Sequence, residues 1–324
     1  MKKKINDLVI YLIYLTFIVI LFDHIVFHNL LGFGYPRHFK EENVFRFPTP
    51  YVSFTGKPGG SHNKYGFRGK SLEQANKNDL KIAFFGGSTG YLGDPPIANL
   101  IEKYLNMNKN LPNCFVANYS VVSSNHRQHL HGIIEFLSYL QPDLIIFYGG
   151  YNETIQNGTY DPRPGYPFNY FYRAETKPLS KLFIENSAIL GEIDKRFNIL
   201  TGLRSLREKQ KPFQKDWNKR IVNKYFETLD LAKTYSEAIS SKYFGKTKFI
   251  AFYQPYQVPD KFQSAHNLIK QRITMKDYIY DVSESLDNYQ KQKVYEDIVH
   301  VNQFAKTIIS EQLTKAILRH LSKL

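Results

Sequence analysis

The sequence predicts an α/β fold: a three-layer α/β/α sandwich around a mainly parallel five-stranded sheet, preceded by one N-terminal transmembrane helix. Three observations predict it. From residue 81 onward, short apolar runs alternate with stretches of helical period, the pattern of parallel strands joined by crossovers that cover both sheet faces. Residues 8–22 form an apolar run without a charge. The chain, 324 residues with 15% aromatics, can bury one substantial core and still carry an anchor and insertions.

The anchor comes first. Asp23 and His24 interrupt the apolar run, and Ile25-Val26-Phe27 extend it to 20 positions. A bilayer-spanning helix needs about 20 such residues. No small-x-small cleavage site follows, so the run reads as an uncleaved signal-anchor rather than a removed signal peptide. Lys2, Lys3 and Lys4 precede it, which by the positive-inside rule places the N-terminus in the cytoplasm. The expected location is the inner (cytoplasmic) membrane, single-pass, with the main domain extracytoplasmic or periplasmic.

Residues 1–28 are thus read as cytoplasmic tip and transmembrane anchor, and residues 29–80 as a connector packed on the domain. That connector is rich in Gly, Pro and aromatics without a clear period, with turns at Pro48-Thr49-Pro50 and Lys57-Pro58-Gly59-Gly60. The main domain is residues 81–324. Strands are expected at 81–86, 114–119, 143–148, 247–253 and 278–282. Helices are expected near 95–108, 126–140, 214–241, 288–296 and 301–321. In the last of these Phe304, Ile308, Ile309, Leu313, Ile317 and Leu321 recur at helical spacing. Residues 154–213 are too long for a simple crossover and read as an insertion, with a helical piece over Leu179–Leu190. Such an insertion serves as a lid, as a specificity element, or as a surface for a partner or the membrane.

Composition narrows the partners. The formal charge is +14, of which residues 1–4 supply +3. This favours anionic surfaces. No helix-turn-helix, zinc-finger spacing or RNA-binding aromatic signature accompanies it, so nucleic acid is not an expected partner. Cys114 is the only cysteine, which excludes an intramolecular disulfide and a cysteine metal cluster and reads as a buried small residue. His126, His129 and His131 lie close together, but no carboxylate stands at metal-site spacing. They read as helix surface or pocket wall. No metal and no organic cofactor is implied.

Ligands of a parallel sheet gather outside the carboxyl ends of its strands. There the first strand delivers Gly86-Gly87-Ser88, the second Asn118-Tyr119-Ser120-Val121-Val122-Ser123, and the third Gly149-Gly150-Tyr151-Asn152-Glu153. Asp297-Ile298-Val299-His300 stands just before the last helix. A Gly-Ser turn by itself merely connects a strand to a helix, and a lone Asp-x-x-His is a helix-start cap beside a core histidine. Together they make a catalytic set. Serine needs a base to become a nucleophile; His300 can take its proton, and Asp297 can hold the ring tautomer and stabilise the imidazolium. The backbone amides of Ser88 and Ser123 and the side-chain amide of Asn152 can stabilise the oxyanion.

These blocks, in order and spacing, resemble the SGNH hydrolases, also called the GDSL esterase/lipase superfamily. The resemblance covers roughly residues 81–150 and 290–315, with the approach segment 63–69. Gly86-Gly87-Ser88 is similar to the nucleophile block, with Gly87 where the family usually has Asp. Asn118 to Gln128 is similar to the second block, with Ser120 and Ser123 in place of both glycines. Gly150-Tyr151-Asn152-Glu153 is similar to Gly-x-Asn-Asp, with Glu153 replacing the last Asp. Asp297-x-x-His300 followed by Asn302 is similar to the final block. The resemblance implies a flavodoxin-like sheet and a Ser88–His300–Asp297 triad, with Ser88, Ser123 and Asn152 in the oxyanion hole.

Gly86-x-Ser88-x-Gly90 also fits the nucleophile elbow of α/β-hydrolases. Several strands precede the elbow in that fold, and the Pro/Gly-rich residues 28–80 do not supply them. Three sequons, at Asn118, Asn152 and Asn157, are discounted because two fall at strand ends inside the site. The expected function is a serine esterase that removes O-acetyl or other small acyl groups from envelope or exported carbohydrate. One alternative is O-acetyl transfer to a polysaccharide through the same acyl-serine, with a possible membrane acyltransferase partner. The other is a catalytically idle binding or assembly module.

Overall fold

The structure, a computed structural model, describes residues 2–33, 47–154, 187–197 and 216–322, which fall into two units. The first contains α1 (Lys2–Phe22), which widens into a π-helical stretch over Asp23–Leu30. Residues Asn6–Leu30 are long and apolar enough to cross a membrane, and the side chains of residues 8–22 are exposed. The helix Ala188–Phe197 belongs to the same unit. Asp23, the charge that breaks the apolar run, is buried there. Its carboxylate accepts from Ala188 N at 2.8 Å, Ile189 N at 2.9 Å and Ser187 Oγ at 3.2 Å, satisfying N–H groups that a helix start leaves unpaired. The rest of the expected insertion, residues 155–186 and 198–213, lies outside the described residues.

The second unit opens with an antiparallel hairpin of β1 (Phe47–Thr49) and β2 (Ser53–Thr55), where the sequence shows no period because three-residue strands between Pro and Gly breaks are too short to display one. The sandwich then runs β3 (Leu80–Gly86), α2 (Ser88–Tyr91), α3 (Ile97–Asn106), β4 (Cys114–Asn118) and α4 (His126–Gly132), which continues as a π-helical turn over Ile133–Leu137. After β5 (Leu144–Gly149) and α5 (Tyr151–Thr154) come α6 (Trp217–Glu237) and the small hairpin β6 (Ser240–Ser241) and β7 (Gly245–Lys246). The chain closes with β8 (Lys248–Tyr253), α7 (Gln263–Ile273), β9 (Ile279–Asp281), α8 (Lys291–Val294) and α9 (Gln303–Leu321).

The main sheet has the order β4-β3-β5-β8-β9, and every pairing in it is parallel. In sequence order its strands lie 2-1-3-4-5, the flavodoxin-like arrangement, whose switch point is beside the first strand. Both faces are covered, so the strands are apolar throughout rather than alternating. Leu144, Ile146 and Tyr148 of β5 join one core with Ile97, Ile101 and Leu105 of α3 and Ile309, Leu313 and Ile317 of α9. Phe147 turns to the other face, where its ring meets Phe85, Phe249 and His126. Each fully buried Leu, Ile or Phe contributes about 1.5–3 kcal/mol, and these two layers fix the strand ends that carry the site.

All five expected strands are present. The helical expectations need three corrections. Residues 288–296 form only the single turn α8, since Tyr295 leaves the helix at ψ 135°. α7 was not expected at all: its buried positions, Ala265, His266, Ile269 and Ile273, include a histidine and an alanine that dilute the apolar period. In α9 Phe304 is exposed, edge-on to the Tyr289 ring at 5.7 Å, and Ala305 and Ala316 take the buried stripe instead. Small residues win there because α3 packs closely against this helix.

Candidate active site

β3 ends at Gly86 at the switch point, and α2 begins at Ser88. Gly87 is needed between them for close approach: a Cβ there would stand 2.5 Å from Asn152 Nδ2. The Asn152 amide thus packs directly against the nucleophile turn, and a larger residue at 87 would have to push that side chain aside. Leu92 N donates to Ser88 O at 2.8 Å, while the N–H of Ser88, in the first turn, has no intrahelical acceptor.

The turn before α9 brings in the other two groups. Asp297 Oδ1 accepts from Val299 N at 2.8 Å and His300 N at 2.7 Å, and Oδ2 lies 2.6 Å from His300 Nδ1. His300 Nε2 lies 2.8 Å from Ser88 Oγ. An ionised carboxylate only accepts, so Nδ1 carries the ring proton and Nε2 offers its lone pair to the Ser88 hydroxyl. Burial pulls the Asp297 pKa upward, but the hydrogen bonds from His300 and Val299 outweigh it and leave the carboxyl below its ordinary value. Asn302 then caps α9, accepting from Ala305 N at 3.0 Å.

The second block forms a turn closed by Ser124 N to Val121 O at 3.1 Å, with Ser123 at φ +65°. That is the left-handed region a glycine takes without cost, and serine holds it here at roughly 1–2 kcal/mol. Asn152 Nδ2 donates to Ser124 O at 2.7 Å, so the three expected oxyanion residues are joined through this turn and the contact at Gly87. Ser120 is fully buried, and a Cβ on Gly86 would lie 3.0 Å from its Oγ. Asn118 Nδ2 donates to Gly90 O at 3.1 Å and its Oδ1 accepts from Ser120 N at 3.0 Å. Neither Asn118 nor Asn152 is thus presented as a surface sequon; Asn157 lies outside the described residues.

His126 and His129 are not surface residues. Both are buried beneath α4, against Phe147, Phe85 and Tyr225, because the start of this short helix faces the sheet. Ser124 Oγ donates to Val121 O at 2.8 Å or Gly86 O at 3.0 Å and lies 2.7 Å from His129 Nε2. With the serine proton so used, His129 Nε2–H donates to Ser124 Oγ. His129 Nδ1 then accepts from His126 Nδ1, 3.2 Å away. His126 Nε2 is left as a buried acceptor with no partner among the described residues. Burial holds both rings neutral, lowering each pKa to about 3, with His126 adding to the effect on His129. Glu153 closes the array, accepting from His126 N at 2.6 Å and Gly150 N at 2.8 Å; burial raises its pKa. It braces the third block rather than touching Ser88 or His300.

Residues beyond the expected blocks complete the surroundings. Thr89 Oγ1 donates to Gln254 Oε1 at 3.2 Å, and Gln257 N donates to Ile298 O at 2.8 Å, so the loop after β8 holds both the nucleophile turn and the Asp297–His300 turn. The Tyr151 phenol is pushed up to about 12 by burial and by nearby Asp297. Only their place after a strand end signals them in the sequence. Cys114 is buried and inert, its thiol pushed up to about 12 by burial. Among the described residues no group of three or more His, Cys, Asp or Glu side chains is placed to hold a metal ion.

No protein-family model matches the chain, and no curated protein matches it. Among solved structures it is similar to a lipase from a goat rumen metagenome, with 14% identity, a TM-score of 0.45, and 73% of this chain and 97% of that chain covered. It is also similar to an acetylxylan esterase from Geobacillus stearothermophilus, with 12% identity, a TM-score of 0.41, and 75% and 94% covered. A third is a lipase/acylhydrolase from Enterococcus faecalis, with 11% identity, a TM-score of 0.40, and 73% and 94% covered. Likeness this distant does not transfer an activity, and the chemistry has to come from the side chains.

Proposed function

We propose that this protein is a serine ester hydrolase, held at a membrane by its N-terminal helix with the sandwich on the extracytoplasmic side. One observation carries the reading: Ser88 Oγ, the His300 ring and the Asp297 carboxylate stand in line at 2.8 Å and 2.6 Å. His300 Nε2 takes the Ser88 proton as Oγ attacks the acyl carbon, and Asp297 stabilises the imidazolium. The N–H groups of Ser88 and Ser123 and the second N–H of the Asn152 amide take the charge on the carbonyl oxygen. Losing one such donor costs about 2.7–4 kcal/mol of transition-state stabilisation. His300 then protonates the leaving alcohol, and a water activated by the same ring releases the acid from Ser88.

The substrate class we assign is a small O-acyl ester, foremost an O-acetyl group, on envelope or exported carbohydrate. The anchor and the basic surface charge support it. The line of Ser88 and His300 speaks against an idle module. The test is hydrolysis of 4-nitrophenyl acetate by the full chain in detergent. Ser88→Ala should lower kcat by about 10³-fold or more; unchanged turnover overturns the proposal. Supplying an oligosaccharide acceptor decides the second half of the reaction: acetyl passing to the sugar faster than to water makes the protein a transferase.

A further inference from the structure

A second cluster lies at the far end of the nucleophile helix. Lys306, in the first turns of α9, is only 6% exposed, yet among the described residues its ammonium makes no hydrogen bond and no ion pair. It stands over Gly93, where a Cβ would lie 2.9 Å from Nζ; with φ at +112°, that position suits glycine on both counts. Two residues back along the same stretch, Arg68 Nη1 donates to Tyr91 O, and the guanidinium sits 5.5 Å from the centre of the Tyr91 ring. The other Arg68 donors have no partner among the described residues. Gln303 Nε2 donates to Pro95 O at 3.0 Å and pins the start of α9 to this loop.

Lysine is rarely this buried without a partner. Here the stem is packed away while Nζ, without a partner among the described residues, is not sealed from solvent, so a ligand can reach it. Burial lowers the Lys306 pKa, Arg68 lowers it further, and the carboxylate that opposes them, Glu296, is exposed and forms no ion pair with it. An anion placed between the two cations removes the imbalance through charge-assisted hydrogen bonds, and the planar guanidinium suits carboxylate or phosphate oxygens. The position fits a substrate group. Tyr91, whose carbonyl Arg68 holds, stands three residues beyond Ser88 in α2, an axial rise of about 4.5 Å, so both cations flank the stretch that follows the nucleophile.

We propose that Arg68 and Lys306 form a subsite for an anionic group, a carboxylate or a phosphate, carried by the sugar whose ester lies at Ser88. The placement of the ester rests on the hydrolase reading; the binding of the anion does not. The full-length Ser88→Ala protein in detergent is titrated with glucuronate, glucose 6-phosphate and glucose. At least one anionic sugar should bind about tenfold tighter than glucose or better, and the stronger of the two identifies carboxylate or phosphate. Adding Lys306→Met or Arg68→Gln should each erase most of that preference, so one variant suffices if the other does not fold. Equal binding of all three sugars, or a preference untouched by both substitutions, overturns the subsite. Turnover of 4-nitrophenyl acetate by the wild-type chain is read separately. If it is absent while glucuronate or glucose 6-phosphate still binds through Arg68 and Lys306, the hydrolase reading fails and the anion site stands.

Discussion

At the scale of single residues, the site departs from its resembled pattern in ways that the geometry accounts for. Gly87 stands where an aspartate is usual, and the Asn152 amide packs against the point where a Cβ at 87 would begin. Ser123 keeps the left-handed backbone of the glycine it replaces. Ser123→Gly should therefore stabilise the protein by about 0.5–1 kcal/mol, the relief of the Cβ less the glycine's own entropy, and hydrolysis should persist. Denaturant melts check this; a destabilised variant would mean that the serine side chain holds the turn. His129 is the neighbour that most directly touches this turn, through Ser124 Oγ at 2.7 Å. His129→Phe removes the donor to Ser124 while keeping a ring in the pocket, and should lower kcat for 4-nitrophenyl acetate more than it changes KM. An unaltered kcat would show that Ser124 needs no support from below.

At the scale of elements, two short pieces carry most of the placement. α2 is a single turn, but its residues are held from three sides: by His300 at Ser88, by Gln254 at Thr89 and by Arg68 at Tyr91. In the other unit, Asp23 caps the helix Ala188–Phe197, which explains a charge inside an otherwise apolar run. Asp23→Ala removes the acceptor for three donors and should destabilise that helix by about 1–2 kcal/mol. The expected readout is faster hydrogen exchange at the Ala188 and Ile189 amides; Asp23→Asn, which keeps an acceptor oxygen, should preserve most of the protection. Equal exchange in wild type and Asp23→Ala would remove the capping role.

At the scale of the whole molecule, the buried histidines couple stability to pH. Folded His126 and His129 have pKa values lowered to about 3, against about 6.5 in the unfolded chain. Between those values the unfolded state binds more protons, so stability rises with pH and is lost as pH falls below about 6.5. Each histidine contributes up to about 1.4 kcal/mol per pH unit in that window. Asp297, with its depressed pKa, acts in the same direction at more acid pH. Chemical melts at pH 7.5 and 5.5 should therefore differ, and replacing His129 by Phe should shrink the difference. A flat profile would mean that the histidines are reached by water.

The sequence by itself determined the long apolar N-terminal helix, all five parallel strands and the four blocks at their carboxyl ends, because each depends on local composition: uncharged length, apolar runs, and polar residues placed just after them. It also indicated that Ser88, Asn152, Asp297 and His300 belong together. It did not reveal α7, whose buried face includes Ala265 and His266 and so has no clean apolar period. Nor did it reveal the depth of His126 and His129, since a polar ring buried on polar partners looks like a surface residue until those partners are in place. Only the tertiary structure decided that Arg68 and Lys306 both come to the stretch from Tyr91 to Gly93 beyond the nucleophile. Their approach spans more than two hundred residues of chain and has no local pattern, for it arises where α9 packs back against the loop after α2.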